Sequence, residues 1–250
     1  MFKTNHIIAV TVIGTCLGIY YAITGADLLW WCAAFGMYFA FSCLGITTTF
    51  HRYLSHNSFK FRYRWMERLF ILLGTLAGTG SGLAWVAVHK EHHRHSDTEH
   101  DPHSPLNGIK GFLVPHYDDR VNYRRVRRLM KDRYVWFLHK RATTVFAVFY
   151  LVLFILGGVQ AVAFFGLIPQ AATSLMSSIL NWFTHTHGYR TYETNENSRN
   201  VWWLALITWG EAWHNNHHAK PSRAVFKHKW WEIDISGALI ALIAKQGTIK

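Results

Sequence analysis

Residues 89–93 read His-Lys-Glu-His-His, and the same spacing returns at residues 214–218 as His-Asn-Asn-His-His. In a chain with 17 histidines among 250 residues, two copies of this pattern are a poor fit to coincidence. On an α-helix, residues i, i+3 and i+4 share one face, so each triplet presents three imidazoles together. Grouped imidazoles are typical metal ligands. The two triplets therefore predict a metal site, for which the rest of the chain is the frame.

The distribution of apolar residues predicts an integral membrane protein. Mean hydropathy is only +0.05, but this averages long apolar runs against stretches rich in charge and histidine. The runs are long enough for four transmembrane helices in a single domain over residues 1–250. These spans are expected at about residues 6–24, 28–50, 142–158 and 160–182, the last two joined at Gly157-Gly158 or between Gly166 and Pro169.

The basic residues predict which side of the membrane the histidines face. All 26 Lys and Arg lie at Lys3 or within residues 51–141 and 190–250, so neither connection between paired spans carries one. The positive-inside rule then places both termini and the active site in the cytoplasm. The net charge of +12 comes with no nucleic-acid-binding motif, so no nucleic-acid partner is expected. Cys16, Cys32 and Cys43 lie in the first two runs and are interpreted as ordinary apolar residues.

Residues 69–88 are also long and apolar enough to cross the membrane. If they crossed, the histidines before and after them would face opposite compartments. The segment is glycine-rich and has Arg68 and Lys90 at its ends. We therefore interpret it as a re-entrant or interfacial segment. The predicted fold is all-α, with four transmembrane helices and a cytosolic helical cap that holds a di-metal site.

Two further clusters bring the candidate ligands to nine histidines. His51 and His56 follow the second span, and Asn181 and His185 form an i, i+4 pair after the fourth. On a regular helix His51 and His56 would point about 140° apart, so we expect them to serve different metals. The nine predicted ligands are His51, His56, His89, His92, His93, His185, His214, His217 and His218. The histidines interpreted as ordinary polar residues are His95, His100, His103, His116, His139, His187 and His228.

Nine imidazoles exceed what one metal ion takes, so two ions are predicted. Imidazole suits zinc, copper, iron and nickel alike. The position at a membrane face favours iron, because oxidation of a lipid chain needs a redox-active metal. A membrane protein that binds or transports zinc or copper is the alternative from another class, but it predicts histidines within the spans.

The ordered motifs resemble the three histidine boxes of membrane fatty acyl desaturases of the stearoyl-CoA Δ9 type. They are His51 to His56, His89 to His93 and His214 to His218, with Asn181 and His185 between the second and third. Flanking matches are Asp101-Pro-His103, Gly188-Tyr-Arg190 and Gly210-Glu-Ala-Trp-His214. The resemblance implies a non-haem diiron centre held by the nine histidines, with Asn181 binding one iron through water. It also implies a cis double bond, expected at Δ9, made with O2 and two electrons.

The resemblance leaves the partners open. The acyl group is expected on CoA, on a carrier protein or in a phospholipid. Electrons are expected from a separate donor that is cytochrome b5-, ferredoxin- or rubredoxin-like, because the chain carries no haem or iron–sulfur module of its own. The alternative activities within the same superfamily are those of a hydroxylase, a ketolase or an alkene-forming decarboxylase.

Other residues have predicted roles around the metals. Asp97, Glu99 and Glu211 are candidates for orienting the imidazoles through hydrogen bonds. Trp85, Ser177, Ser178 and Trp182 are candidates for lining an acyl tunnel. The basic run at residues 124–128 is interpreted either as facing anionic lipid headgroups or as docking an anionic substrate headgroup or an acidic electron donor.

Overall fold

A computed structural model describes residues 4–104 and 123–250, and these form an all-helical protein, as predicted. The α-helices are α1 Thr4–Thr24, α2 Leu28–Tyr38, α3 Arg64–Leu76, α4 Gly82–His95, α5 Arg127–Met130, α6 Arg133–Lys140, α7 Ala142–Val162, α8 Ile168–Thr186, α9 Trp202–Ile207, α10 His214–Ala219 and α11 Ile235–Ile243. A π-helix, Phe39–Ser55, continues α2, and a second, Ala163–Leu167, joins α7 to α8. A short 3₁₀ helix covers Tyr123–Val126.

Three helical segments are long and apolar enough to cross a membrane. They are Asn5–Thr24, Leu28–Ser55 and the 45-residue segment Ala142–Thr186, whose mean hydropathies are 2.0, 1.6 and 2.5. Most side chains of the first and third segments are not buried within the protein. Their outer faces therefore suit contact with lipid.

The third segment folds back on itself at Gly157-Gly158, the first of the two predicted turn positions. Gly158 has φ +62° and ψ −154°, a backbone conformation that residues other than glycine rarely adopt. The Tyr150 hydroxyl donates a hydrogen bond of 2.5 Å to Gln170 Oε1. Twenty residues along a straight α-helix would separate these residues by about 30 Å. Ala142–Thr186 is therefore a helical hairpin and supplies two apolar segments.

Residues 69–88 do not form one continuous helix. Helices α3 and α4 are separated by a buried turn in which Gly78 and Gly80 have φ of +80° and +107°. The side chain of Gln170 satisfies the carbonyl of Leu76 at the end of α3, at 2.8 Å. After the turn, α4 returns towards the start of α3, so that His89 meets His56. Residues 69–88 therefore double back on themselves.

A close helix crossing holds the first histidine box in place. The π-helix and α3 approach so closely at Gly45 and Gly74 that a Cβ on Gly45 would lie 2.4 Å from the Gly74 nitrogen. Phe50 packs over Gly74 in the main core cluster. This crossing fixes the end of the π-helix, which carries His51.

Candidate metal centre

The first histidine box lies on π-helical backbone. The amide of His56 donates to the carbonyl of His51 at 3.2 Å, and the Ser55 hydroxyl donates to the carbonyl of Phe50 at 2.8 Å. The first is the backbone i to i−5 hydrogen bond of a π-helix, whose wider turn brings residue i+5 nearer to the face of residue i than an α-helix would. The rings of His51 and His56 consequently lie with centroids 5.0 Å apart. The expectation that they serve different metals assumed a regular α-helix and is wrong.

The structure brings all nine predicted histidines together in two adjoining groups. Within each group the potential ligand atoms all lie within 4.8 Å of one another. The five-histidine group is His51, His56, His89, His93 and His217. The four-histidine group is His92, His185, His214 and His218.

Each histidine triplet contributes to both groups. From α4, His89 and His93 belong to the five-histidine group and His92 to the four-histidine group. From α10, His217 belongs to the five-histidine group, and His214 and His218 belong to the four-histidine group. A triplet on one helical face was predicted to serve one site. The arc of about 100° that it covers is instead wide enough to reach two neighbouring sites.

Donor spacing fits bound metal ions. The Nε2 atom of His217 lies 3.0 Å from both His51 Nε2 and His93 Nε2, and His56 Nε2 lies 2.8 Å from His89 Nε2. In the other group, His185 Nε2 and His214 Nε2 are 3.1 Å apart. Two imidazole nitrogens bound to one ion at about 2.1 Å lie roughly 3 Å apart.

Unsatisfied nitrogen atoms support the same fit. His92 Nε2 and His218 Nε2 are buried and have no hydrogen-bond partner, which is costly unless something binds them. Burial, followed by the neighbouring imidazoles, holds the pKa of His89, His93 and His217 well below the usual value. These histidines are therefore neutral at pH 7, which is the protonation state that binds a metal.

Carboxylates lie against the outer nitrogen, Nδ1, of four of the nine histidines. The pairs are His51 with Glu211, His92 with Asp101 at 2.9 Å, His185 with Asp97 at 3.1 Å and His218 with Glu196 at 3.6 Å. Such contacts orient an imidazole and raise its basicity. They are unevenly shared: three of the four histidines in one group have a carboxylate, against one of the five in the other, among the residues described.

Two of the three predicted orienting acids occupy such positions. Asp97 and Glu211 contact histidines of the two groups, whereas the Glu99 side chain is 86% exposed and lies 3.7 Å from His100 Nε2. Sequence reasoning missed Asp101 and Glu196. The Asp-Pro pair that follows the second box was a usable signal for Asp101, but nothing in the sequence marks Glu196.

Asp101 is held as a carboxylate. It is 2% exposed and accepts the amides of Asp97 and His103 as well as the His92 contact. Burial opposes ionisation, but the contact with His92 and the two amide hydrogen bonds outweigh it and hold the pKa of Asp101 at about 2. The side chain is therefore a fixed negative charge behind His92.

Arg52, which sequence reasoning also missed, holds Glu211 behind His51. It is fully buried and donates through Nε and Nη2 to Glu211 Oε1, both at 3.0 Å. Its Nη1 donates to Asp234 Oδ2 at 2.9 Å, and its guanidinium lies 3.8 Å from the Phe226 ring centroid. A buried cation between two carboxylates fixes the position of Glu211.

A cavity of about 90 Å³ opens beside both groups and runs between the π-helix and α8. His51, His89, His92 and His214 line one part of it, and three of the four predicted tunnel residues, Trp85, Ser177 and Ser178, also line it. Asn181 lines it as well, whereas Trp182 does not. The hydroxyls of Ser177 and Ser178 donate to backbone carbonyls of their own helix, whereas the buried hydroxyl of Thr79, which also lines the cavity, has no hydrogen-bond partner.

Of the histidines interpreted as ordinary, those within the described residues join neither group, and His116 lies outside those residues. His139 is nevertheless buried and shares a 2.6 Å hydrogen bond with Ser81, the N-cap of α4. His103 lines the cavity. In the basic run, Arg125 forms an ion pair with Glu91.

Comparison with known proteins identifies the family. Residues 28–234 match the family model described as fatty acid desaturase. The chain is 37% identical to Delta-9 acyl-lipid desaturase 1 of Arabidopsis thaliana, over 80% of this chain and 68% of that protein. It is 35% identical to the sn-1 stearoyl-lipid 9-desaturase of Synechocystis sp. (87% and 70%) and 33% identical to the protein so named in Anabaena variabilis (96% and 91%). The predicted resemblance is thus confirmed, and the chain belongs to the fatty acid desaturase family.

Proposed function

We propose that this fatty acid desaturase introduces a cis double bond at the Δ9 position of a saturated acyl chain. Two hydrogens leave adjacent carbons, and with O2, two electrons and two protons they form two molecules of water. The observation that carries the proposal is the convergence of nine histidines on two adjoining groups beside a cavity. The relatives named Δ9 and 9-desaturases support the position of the bond.

The nine histidines are proposed to hold two iron ions. These ions would supply the activation of O2 and the abstraction of hydrogen from an unactivated C–H bond, which acid–base side chains do not achieve. The protein's part is to keep the imidazoles neutral and aimed. Burial keeps them neutral, Asp97, Asp101, Glu196 and Glu211 aim four of them through Nδ1, and Asn181 is proposed to contact one ion through water.

The cavity is proposed to receive the acyl chain. On the α8 side of its wall, Ser177 and Ser178 already donate to backbone carbonyls, so an apolar chain packed against these two serines leaves neither hydroxyl unpaired. Trp85 stacks on His89 with ring centroids 5.0 Å apart and closes the side next to the five-histidine group. Trp182 lies outside this lining and has no proposed role in it.

The membrane arrangement follows from the apolar segments. We propose four spans, because the helical hairpin provides two in addition to Asn5–Thr24 and Leu28–Ser55. The even number and the positive-inside rule place both termini and the histidines in the cytoplasm. The segment between His56 and His89 enters and returns on that side.

The proposed partners are O2, an acyl substrate and a separate electron donor. The relatives' names specify acyl-lipid and stearoyl-lipid substrates, which favours an acyl chain esterified in a membrane lipid over one on CoA or a carrier protein. The donor is proposed to be cytochrome b5-, ferredoxin- or rubredoxin-like.

Product analysis tests the function. The chain is expressed in a host fed saturated fatty acids, and its lipids are analysed by mass spectrometry with localisation of the double bond. We expect products that lack two hydrogens, have full chain length and carry a cis bond at Δ9. Added oxygen would instead indicate a hydroxylase or ketolase, and a lost carbon an alkene-forming decarboxylase.

Matched variants test the ligand assignment. His92→Ala and His217→Ala remove one histidine from each group and are expected to abolish desaturation and lower the iron content while the protein remains in the membrane. His100→Ala, whose side chain is 72% exposed, is the control and keeps both. Wild-type turnover by either of the first two variants would contradict the assignment.

A further inference from the structure

A basic pocket lies on the outside of the protein, and none of the nine histidines lines it. It has a volume of about 620 Å³ and is formed by the first turns of α3 and by the chain entering α6. Its lining residues are Arg64, Arg68, Lys131, Asp132, Arg133, Tyr134 and Phe137. Four cations therefore face one space.

The four cations exceed the acids in this pocket, and no ion pair among the described residues involves them. The one acid in the lining, Asp132, caps α6 by accepting the amides of Tyr134 and Val135 at 2.8 and 3.1 Å. The guanidinium of Arg68 lies 5.2 Å from the centroid of the Tyr134 ring, which holds it at the pocket wall.

An apolar groove of about 540 Å³ continues from the pocket. Phe137 lines both, and the groove runs between α3 and α7 along the candidate membrane segment. Its lining residues are Leu72, Leu76, Phe137, Arg141, Thr144, Val145, Val148, Phe149 and Val152. From Val145 to Val152 it follows α7 for about 10 Å, which suits part of one acyl chain.

We propose that the pocket and the groove together bind an anionic phospholipid of the surrounding membrane. Arginine and lysine would take the phosphate in the pocket, and one acyl chain would lie in the groove. Trp65 and Tyr63, which are 64% and 52% exposed beside these cations, are residue types typical of the headgroup level of a bilayer. A soluble acidic protein would match the charge but would leave the continuous apolar groove uncovered.

The site differs from the proposed catalytic one in both lining and ligand. The two linings share no residue, so a bound lipid here stabilises the contact of α3 with α6 and α7 and is not the acyl chain that reacts. Lipid binding at this site does not depend on desaturase activity.

Lipid retention by the purified full chain tests the proposal. Native mass spectrometry after detergent extraction is expected to show phosphatidylglycerol bound in preference to phosphatidylcholine. The double variant Arg64→Gln/Arg68→Gln is expected to bind phosphatidylglycerol roughly 25-fold more weakly, about fivefold for each cation removed at an anionic surface. Arg223→Gln/Lys227→Gln removes two exposed cations outside the pocket and should bind like the wild type.

The groove is tested separately. Val148→Trp fills it and should release phosphatidylglycerol, whereas Ile155→Trp, on an exposed position of the same helix outside the groove, should not. The proposal is overturned if wild-type protein shows no preference for phosphatidylglycerol or if Arg64→Gln/Arg68→Gln retains it like the control. It is also overturned if that variant keeps the lipid but loses reduction by an electron donor, because the pocket would then dock an acidic protein.

Discussion

Replacing Asp101 by Asn should weaken metal binding by the four-histidine group. The carboxylate lies 2.9 Å from His92 Nδ1 and is ionised, so it stabilises the imidazole in the orientation that points Nε2 into the group. Asn has nearly the same shape but no charge. The side-chain nitrogen of the new Asn would also face a hydrogen-bond donor. That donor is either the His92 ring or the backbone amide of Asp97, which donates to the second carboxylate oxygen of Asp101.

The expected loss is about 10- to 100-fold in metal affinity, or roughly 1.4 to 2.7 kcal/mol, as for other partners of ligating histidines. The assay is competition with a chelator of known affinity, with metal per chain measured by elemental analysis. Melting temperatures of the metal-free proteins show whether the variant still folds. Glu99→Gln removes the same charge from an exposed side chain and should change neither quantity.

The uneven distribution of carboxylates between the two histidine groups leads to a prediction for the wild-type protein. Three carboxylates support the four-histidine group and one supports the other, so increasing chelator should empty the five-histidine group first. Asp101→Asn should reduce or reverse that order. An affinity within twofold of the Glu99→Gln control would refute the role assigned to Asp101.

Three further predictions concern stability. The metal-free protein should lose stability as pH falls below 6.5. Burial lowers the pKa of His56 to about 3 in the folded state, whereas the unfolded chain takes up the proton near 6.5. Equal melting temperatures at pH 5.5 and 7.5 would contradict this. Gly45→Ala should destabilise the protein by about 1–3 kcal/mol or more, since its Cβ meets the Gly74 backbone, whereas Gly36→Ala, with open space around it, should not; chemical unfolding in detergent compares them. Arg52→Met leaves two buried carboxylates without their cation and should cost about 3–5 kcal/mol, seen as loss of folded protein in size-exclusion profiles, while near wild-type melting would refute the role of this ion pair.

The composition of the centre can be predicted from the amino-acid sequence. The repeated spacing is specific enough that the pattern selects nine candidate ligands and sets seven other histidines aside. Glycines and the placement of charge also narrow the hairpin turn to Gly157-Gly158 or residues 166–169, and favour a re-entrant or interfacial interpretation of residues 69–88. Each of these features depends on residues that are close in sequence.

The division of the nine histidines into two groups depends on the tertiary structure. His51 and His56 share a group because the backbone is π-helical there, which depends on packing against α3 and not on a residue pattern. The triplet on α4 contributes to two groups because α10 also supplies histidines to both of them. Arg52 gains its role from Glu211 and Asp234, which are distant in the chain, and Asp101 and Glu196 gain theirs only because the fold places each carboxylate against a histidine.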